Sequence, residues 1–97
     1  MHGYFYMLAS RKRGTIYCGV TRNLSARIHT HKEGLGSKFV GKYGVKRLVY
    51  YEQYNLLIDA IKREKQVKGW QRAWKIALIE KVNPNWSELF GMNLPWE

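Results

Sequence analysis

Two aromatic-rich runs stand on either side of a short basic turn, and this arrangement constrains the fold more than any other feature of the chain. Tyr4-Phe5-Tyr6-Met7-Leu8-Ala9-Ser10 reads as a strand, and Thr15-Ile16-Tyr17-Cys18-Gly19-Val20 as its return. Arg11-Lys12-Arg13-Gly14 between them is a hairpin turn, with Gly14 free to take positive φ. Thr21 to Asn23 offers an N-cap, so a short helix is expected from about Leu24 to His31. Residues 32–45 read as a basic, Gly-rich loop. Lys46 to Tyr54 reads as a third strand. Asn55 is placed to cap a helix over 56–68, which Gly69 breaks. A further helix over about 71–82 stops before Asn83-Pro84, and a short helical turn is compatible with 86–90. The order ββαβαα makes an α+β domain with a three-stranded, mainly antiparallel sheet flanked by helices.

A chain of 97 residues with 45% apolar and 25% charged residues fits one domain with a modest core. Disorder, collagen-like repeats and coiled coil do not fit this composition. No apolar stretch of about 18 residues occurs, so no membrane-spanning helix is expected, and the first residues lack the pattern of a secretion signal. Cys18 is the only cysteine, which excludes an internal disulfide and suggests a reducing, cytoplasmic home. One Cys and three His without paired spacing are a poor set for zinc. The charge is uneven. Residues 1–48 carry ten basic residues and one acid, while residues 49–97 carry seven basic and six acidic. A concentrated basic half points to a polyanion, with nucleic acid the first candidate and an anionic membrane surface the second.

Three constellations stand out. Glu64 interrupts the apolar stripe Leu57, Ala60, Ile61 and Val67 of the second helix. An inward carboxylate is costly unless paired or bound to a cation. It is therefore either a metal ligand or catalytic acid, or a rim glutamate paired with one of the many lysines and arginines. On the first helix Asn23, Arg27 and His31 recur at i, i+4 and i+8. Arg27 and His31 suit a phosphate clamp with a proton-transferring imidazole, or simply a solvated basic face. Tyr6 and Tyr17 fall at matching places on the hairpin, as a stabilising aromatic pair or as phenols in a site. A phenol with pKa about 10 needs a nearby cation to act as a base near neutral pH. The segment from Lys32 to Tyr43 interleaves cations, glycines and aromatics in a way that suits phosphate contact and base stacking.

Together these residues resemble the GIY-YIG nuclease superfamily. Tyr4-Phe5-Tyr6 and Tyr17-Cys18-Gly19 look like its two signatures, with a basic turn between them. Arg27 follows Gly19 by eight residues and His31 by twelve, similar to the family's Arg-x-x-x-His/Tyr element. Glu64 falls where the family places its metal-binding glutamate. Lys75-Ile76-Ala77-Leu78-Ile79-Glu80 with Asn83-Pro84-Asn85-Trp86 looks like the small stand-alone bacterial members, and the related domain of the excision-repair nuclease is a more distant likeness. The resemblance covers about residues 3–90 within a single domain of 1–97. The sequence departs from the pattern at Phe5, at Cys18, at Val20 where some members carry lysine, and at His31 where the excision-repair branch has tyrosine.

The resemblance implies metal-dependent hydrolysis of DNA phosphodiester bonds. Glu64 would bind one Mg²⁺ or Mn²⁺, weakly without substrate, Arg27 would hold a phosphate oxygen, and Tyr17 or Tyr6, with His31 as an alternative, would activate water. Arg11, Lys12, Arg13, Arg22, Lys38 and Lys42 are expected to track the nucleic-acid backbone. No side-chain set suits base reading, so structure-selective or weakly selective binding is expected. DNA repair, recombination and mobile-element defence are each compatible with it. A nucleic-acid-binding module of the same fold without turnover is the main alternative. A second is an interaction protein, monomeric or homodimeric, using the apolar tail Trp86, Leu89, Phe90, Met92, Leu94 and Trp96 as a contact surface. That tail could equally fold back as core.

Overall fold

The computed structural model describes residues 2–33 and 38–91, and of Lys38, Phe39 and Val40 the backbone only. Expectations for Gly34 to Ser37, for the Lys38 side chain and for Met92, Leu94 and Trp96 lie outside the described residues.

Strands β1 (Gly3–Ala9), β2 (Ile16–Thr21) and β3 (Arg47–Tyr54) form one sheet in the order β2-β1-β3, with both pairings antiparallel. Helices α1 (Leu24–Lys32) and α2 (Lys38–Tyr43) lie between β2 and β3, and α3 (Leu57–Lys68) and α4 (Arg72–Val82) follow β3. The expected fold class is the observed one. Helix α2 is an addition, because part of the basic segment read as loop forms a six-residue helix.

The central strand β1 is buried along its whole length. That explains why its sequence is apolar at every position instead of alternating, since both faces of the sheet are covered. On one face Tyr4, Tyr6 and Leu8 pack with Leu24 and Ile28 of α1 and with Val45 and Leu48. On the other, Phe5, Met7, Ala9 and Cys18 pack with Val49, Tyr50, Val67, Ile79 and Trp86. Helix α3 crosses β1 closely at Gly3, where a Cβ would stand 2.9 Å from the Leu57 backbone.

A bulge in β3 reconciles these faces. Met7 pairs with Tyr50 but Leu8 with Leu48, so Val49 is an extra residue. Without it, Leu48 and Tyr50 would share a face. With it, Leu48 joins the α1 side and Tyr50 the α4 side. The Val49 carbonyl accepts a hydrogen bond from Asn83 Nδ2 at 2.9 Å.

Local signals hold in part. Asn23 caps α1 as expected, its Oδ1 accepting from the Ala26 N–H at 3.1 Å. In the hairpin the positive φ falls on Arg13 (56°), not on Gly14. Gly14 is needed there for space, since a Cβ would lie 2.3 Å from Ser10 Oγ. Asn55 does not cap α3. The N-cap is Leu56, without a side-chain cap bond, because the chain runs one residue further before turning.

Residues 86–90 form no helical turn. They run along the outer edge of β3. The Leu48 N–H donates to Glu88 Oε2 at 2.8 Å, and the Leu89 N–H donates to the Leu48 carbonyl at 2.9 Å. Lys32 pairs with Glu88, which ties α1 to the same strap. Trp86 is fully buried, and Leu89 and Phe90 pack against the α1-side core. This part of the apolar tail therefore folds back as core. An exposed strand edge is a template for unwanted pairing, and the strap covers it.

Candidate active site

The site grows from the register of the hairpin. Tyr6 pairs with Gly19, and Leu8 with Tyr17, so Tyr6, Tyr17 and Gly19 share the face that α1 covers. The Tyr6 ring lies over Gly19, where a Cβ would stand 2.5 Å from both Cζ and Oη. The glycine of Tyr17-Cys18-Gly19 is thus the space that the Tyr6 ring fills.

His31 reaches the same place from the last turn of α1. Its Nε2 lies 2.9 Å from Tyr6 Oη, and both side chains are almost completely buried, at 1% exposure each. Tyr17 completes the cluster, half-buried, with its ring centroid 5.5 Å from that of His31 and 6.3 Å from that of Tyr6.

Burial decides the protonation of this cluster. It pushes the Tyr6 phenol well above the ordinary tyrosine range, and Tyr17 adds to the rise. Burial also lowers the His31 imidazole, and the Arg27 guanidinium lowers it further. Both groups are therefore neutral near pH 7. Nδ1 of His31 is buried without a hydrogen-bond partner among the described residues.

Two charges flank the cluster. Arg27, one turn before His31, is exposed and lines a groove of about 390 Å³ with Thr21, Asn23, Ala26 and Thr30. Its charge acts on both Tyr6 and His31. Glu64 lies on α3, and its charge raises both Tyr6 and Cys18. Tyr6, Tyr17, His31, Arg27 and Glu64 thus belong to one electrostatic neighbourhood.

Glu64 also has a partner that the sequence did not single out. Lys68 Nζ stands 2.7 Å from Glu64 Oε2, with the carboxylate side chain 13% exposed and the lysine 59%. The paired-glutamate reading of position 64 holds in this respect. The signal for it is the i, i+4 Glu-Lys spacing. Lys68 also lies within the field of Tyr17 and Cys18.

No three of His, Cys, Asp and Glu gather into a ready-made cage among the described residues. A single carboxylate that already holds a cation suits an ion keeping most of its ligands as water or substrate oxygen, which is the habit of Mg²⁺. It does not suit zinc.

The basic residues are scattered. Arg11, Lys12, Arg22 and Lys42 are exposed, and Lys42 Nζ lies 5.4 Å from the Tyr43 ring centre. Arg13 is engaged in a forked pair with Glu80, at 2.8 and 2.9 Å. Arg72 donates to the Arg13 and Gly14 carbonyls. The hairpin turn is therefore tied to α4.

Comparison with known proteins agrees with this geometry. A UPF0213 protein of Staphylococcus aureus strain Mu3 is 31% identical over 81 residues, covering 84% of this chain and 99% of its own length. The UPF0213 protein SA0446 of strain N315 matches to the same extent. The solution structure of a UPF0213 protein from Bacillus halodurans aligns with a TM-score of 0.57 at 28% identity, covering 96% of this chain and 98% of that one. The profile of the GIY-YIG catalytic domain matches residues 2–77, a span that holds Tyr6, Tyr17, Arg27, His31 and Glu64, and the chain belongs to the GIY-YIG family.

Proposed function

We propose that this chain is a divalent-metal-dependent endonuclease that hydrolyses DNA phosphodiester bonds, selective for structure or only weakly selective. One observation carries the reading: two phenols and a neutral imidazole in mutual contact, within the field of a guanidinium and a carboxylate. Acyl or glycosyl transfer finds no comparable arrangement here, whereas hydrolysis of a phosphodiester needs these parts.

Glu64 is the residue that would hold the ion, and Lys68 would have to yield its place on the carboxylate. Bound there, a divalent ion would offset charge on the scissile phosphate and the leaving oxygen. Arg27, exposed beside its groove, holds a non-bridging oxygen through charge-assisted hydrogen bonds. Tyr17 is the phenol of the pair with access to solvent, and as the phenolate, its own proton released to solvent, it takes the proton of the attacking water. Tyr6 is enclosed, and its phenol is too weak an acid to serve as base. It is a positioning residue, holding Tyr17 on one side and His31 on the other. Neutral His31 accepts the Tyr6 hydroxyl proton, which fixes the Tyr6 ring beside Tyr17.

The test is cleavage of labelled branched, single-stranded and duplex DNA and RNA with Mg²⁺, Mn²⁺ or EDTA. Glu64→Ala, Arg27→Ala and Tyr17→Phe are each expected to lose about 100-fold or more, with circular dichroism unchanged. Cutting by Glu64→Ala at the wild-type rate would end the assignment. The Lys68 ammonium on Glu64 favours a second reading, a binding module without turnover. Salt-dependent binding with no cleavage under any divalent ion would select it.

A further inference from the structure

A groove of about 310 Å³ lies on α4, away from the phenol cluster, and is lined by Trp70, Trp74, Ala77, Leu78 and Lys81. Trp74, Ala77, Leu78 and Lys81 follow one another at helical spacing along α4, and Trp70 stands in the bend just before the helix. Trp70 and Leu78 are rooted in the core on the α4 side of the sheet, so the floor is rigid. Trp74 stands at the rim, 54% exposed, its ring perpendicular to Trp70 at 79° with centroids 6.1 Å apart. The Arg63 guanidinium lies 5.2 Å from the Trp70 ring centre and holds that indole in place.

The charge around the groove is one-sided. Glu80 is paired with Arg13, Glu52 with Arg63, and Glu64 with Lys68. Lys81 contributes a cation at the rim. The lining residues fall well short of the roughly 20–30 a side that a stable protein interface uses. They make a seat for one or two flat rings. Aromatic faces beside cations are what single-stranded nucleic acid requires, bases on the indoles and phosphates on the cations.

We infer that the Trp70–Trp74 groove is a stacking site for unpaired bases of single-stranded DNA, seated on α4 and distinct from the catalytic cluster. The inference rests on the nucleic-acid reading above but not on turnover. Trp70 follows Lys68 by two residues, so a strand stacked here leaves α3 at the end that carries Glu64.

The experiment is fluorescence anisotropy of a labelled single strand of about 12 nucleotides, within the length one such site occupies, and of the matching blunt duplex, in EDTA so that nothing is cut. The full chain is compared with Trp74→Ala and Trp74→Phe. Trp74→Ala should weaken single-strand binding about tenfold and leave duplex binding within about twofold. Trp74→Phe should keep most of the affinity. Unchanged single-strand affinity in Trp74→Ala, or an equal loss for duplex, overturns the site. So does a wild-type dimer in sedimentation that Trp74→Ala dissolves, since the groove would then be a seat for a second copy. Loss of cleavage with intact strand binding would instead strike the catalytic reading alone.

Discussion

The two faces of the sheet use the same central strand for different ends. On the α4 side, Phe5, Met7, Ala9, Val49, Val67, Ile79 and Trp86 make an almost wholly apolar core. On the α1 side, apolar Leu8, Leu24 and Ile28 give way to Tyr4, Tyr6 and Tyr17, and the chain buries an imidazole with one ring nitrogen that has no hydrogen-bond partner among the described residues. A buried polar atom without a partner costs about 1–3 kcal/mol. A fold under pressure for stability alone would fill that place with leucine. The difference teaches that one face holds the domain together, while the other spends stability to keep the proposed reacting groups in register.

The contrast can be broken most forcefully from the apolar side. Trp86→Ala empties a fully buried site and should cost about 3–5 kcal/mol, read by urea denaturation. Cleavage well below the new melting temperature should persist, because Trp86 packs against the opposite face. Coincident loss of cleavage in a folded variant would merge the two faces into one.

Gly19→Ala attacks the other side and is smaller in stability, about 1–3 kcal/mol, but should reduce cleavage out of proportion. The added methyl collides with a Tyr6 ring that His31 and the α1-side core prevent from moving. Equal cleavage in Gly19→Ala would show that the position of Tyr6 is irrelevant.

The smallest effect concerns pH. The folded His31 binds its proton less readily than the ordinary imidazole at 6.5, so below that value the unfolded chain takes up a proton that the folded chain refuses. Stability should fall as pH drops below about 6.5, until the folded imidazole itself titrates. In His31→Gln this part of the slope should vanish, which thermal melts between about pH 7 and 5 would reveal. An unchanged slope would move the pH sensitivity to other groups.

Much of this architecture is legible in the sequence because it is local. The hairpin follows from two apolar runs around a polar turn, and the α1 cap from Asn23. The bulge at Val49 is not legible, since it answers a conflict between two helical layers that no single segment records. Nor is the strap at 86–90, whose hydrogen bonds go to Leu48, about forty residues away in sequence. Helix α2 is hidden by glycines that usually mark loops. At the site, the separate residues are visible as anomalies of pattern. Their assembly is suggested by family likeness, while the Tyr6–His31 bond and the ring packing over Gly19 come from the fold. Lys68 escapes a reading of the sequence because an i, i+4 lysine on a basic chain carries no distinguishing mark.

The strap has a consequence for what counts as a unit of this protein. The family match ends at residue 77, yet Ile79, Asn83 and Trp86 are buried, and Glu88 and Leu89 seal the sheet edge. The span that matches the family model is shorter than the span that builds the core. A graft of residues 2–77 into another protein would transplant every proposed reacting group and leave behind part of the core beneath them. The host would have to supply a tryptophan-sized plug and a partner for the edge of β3.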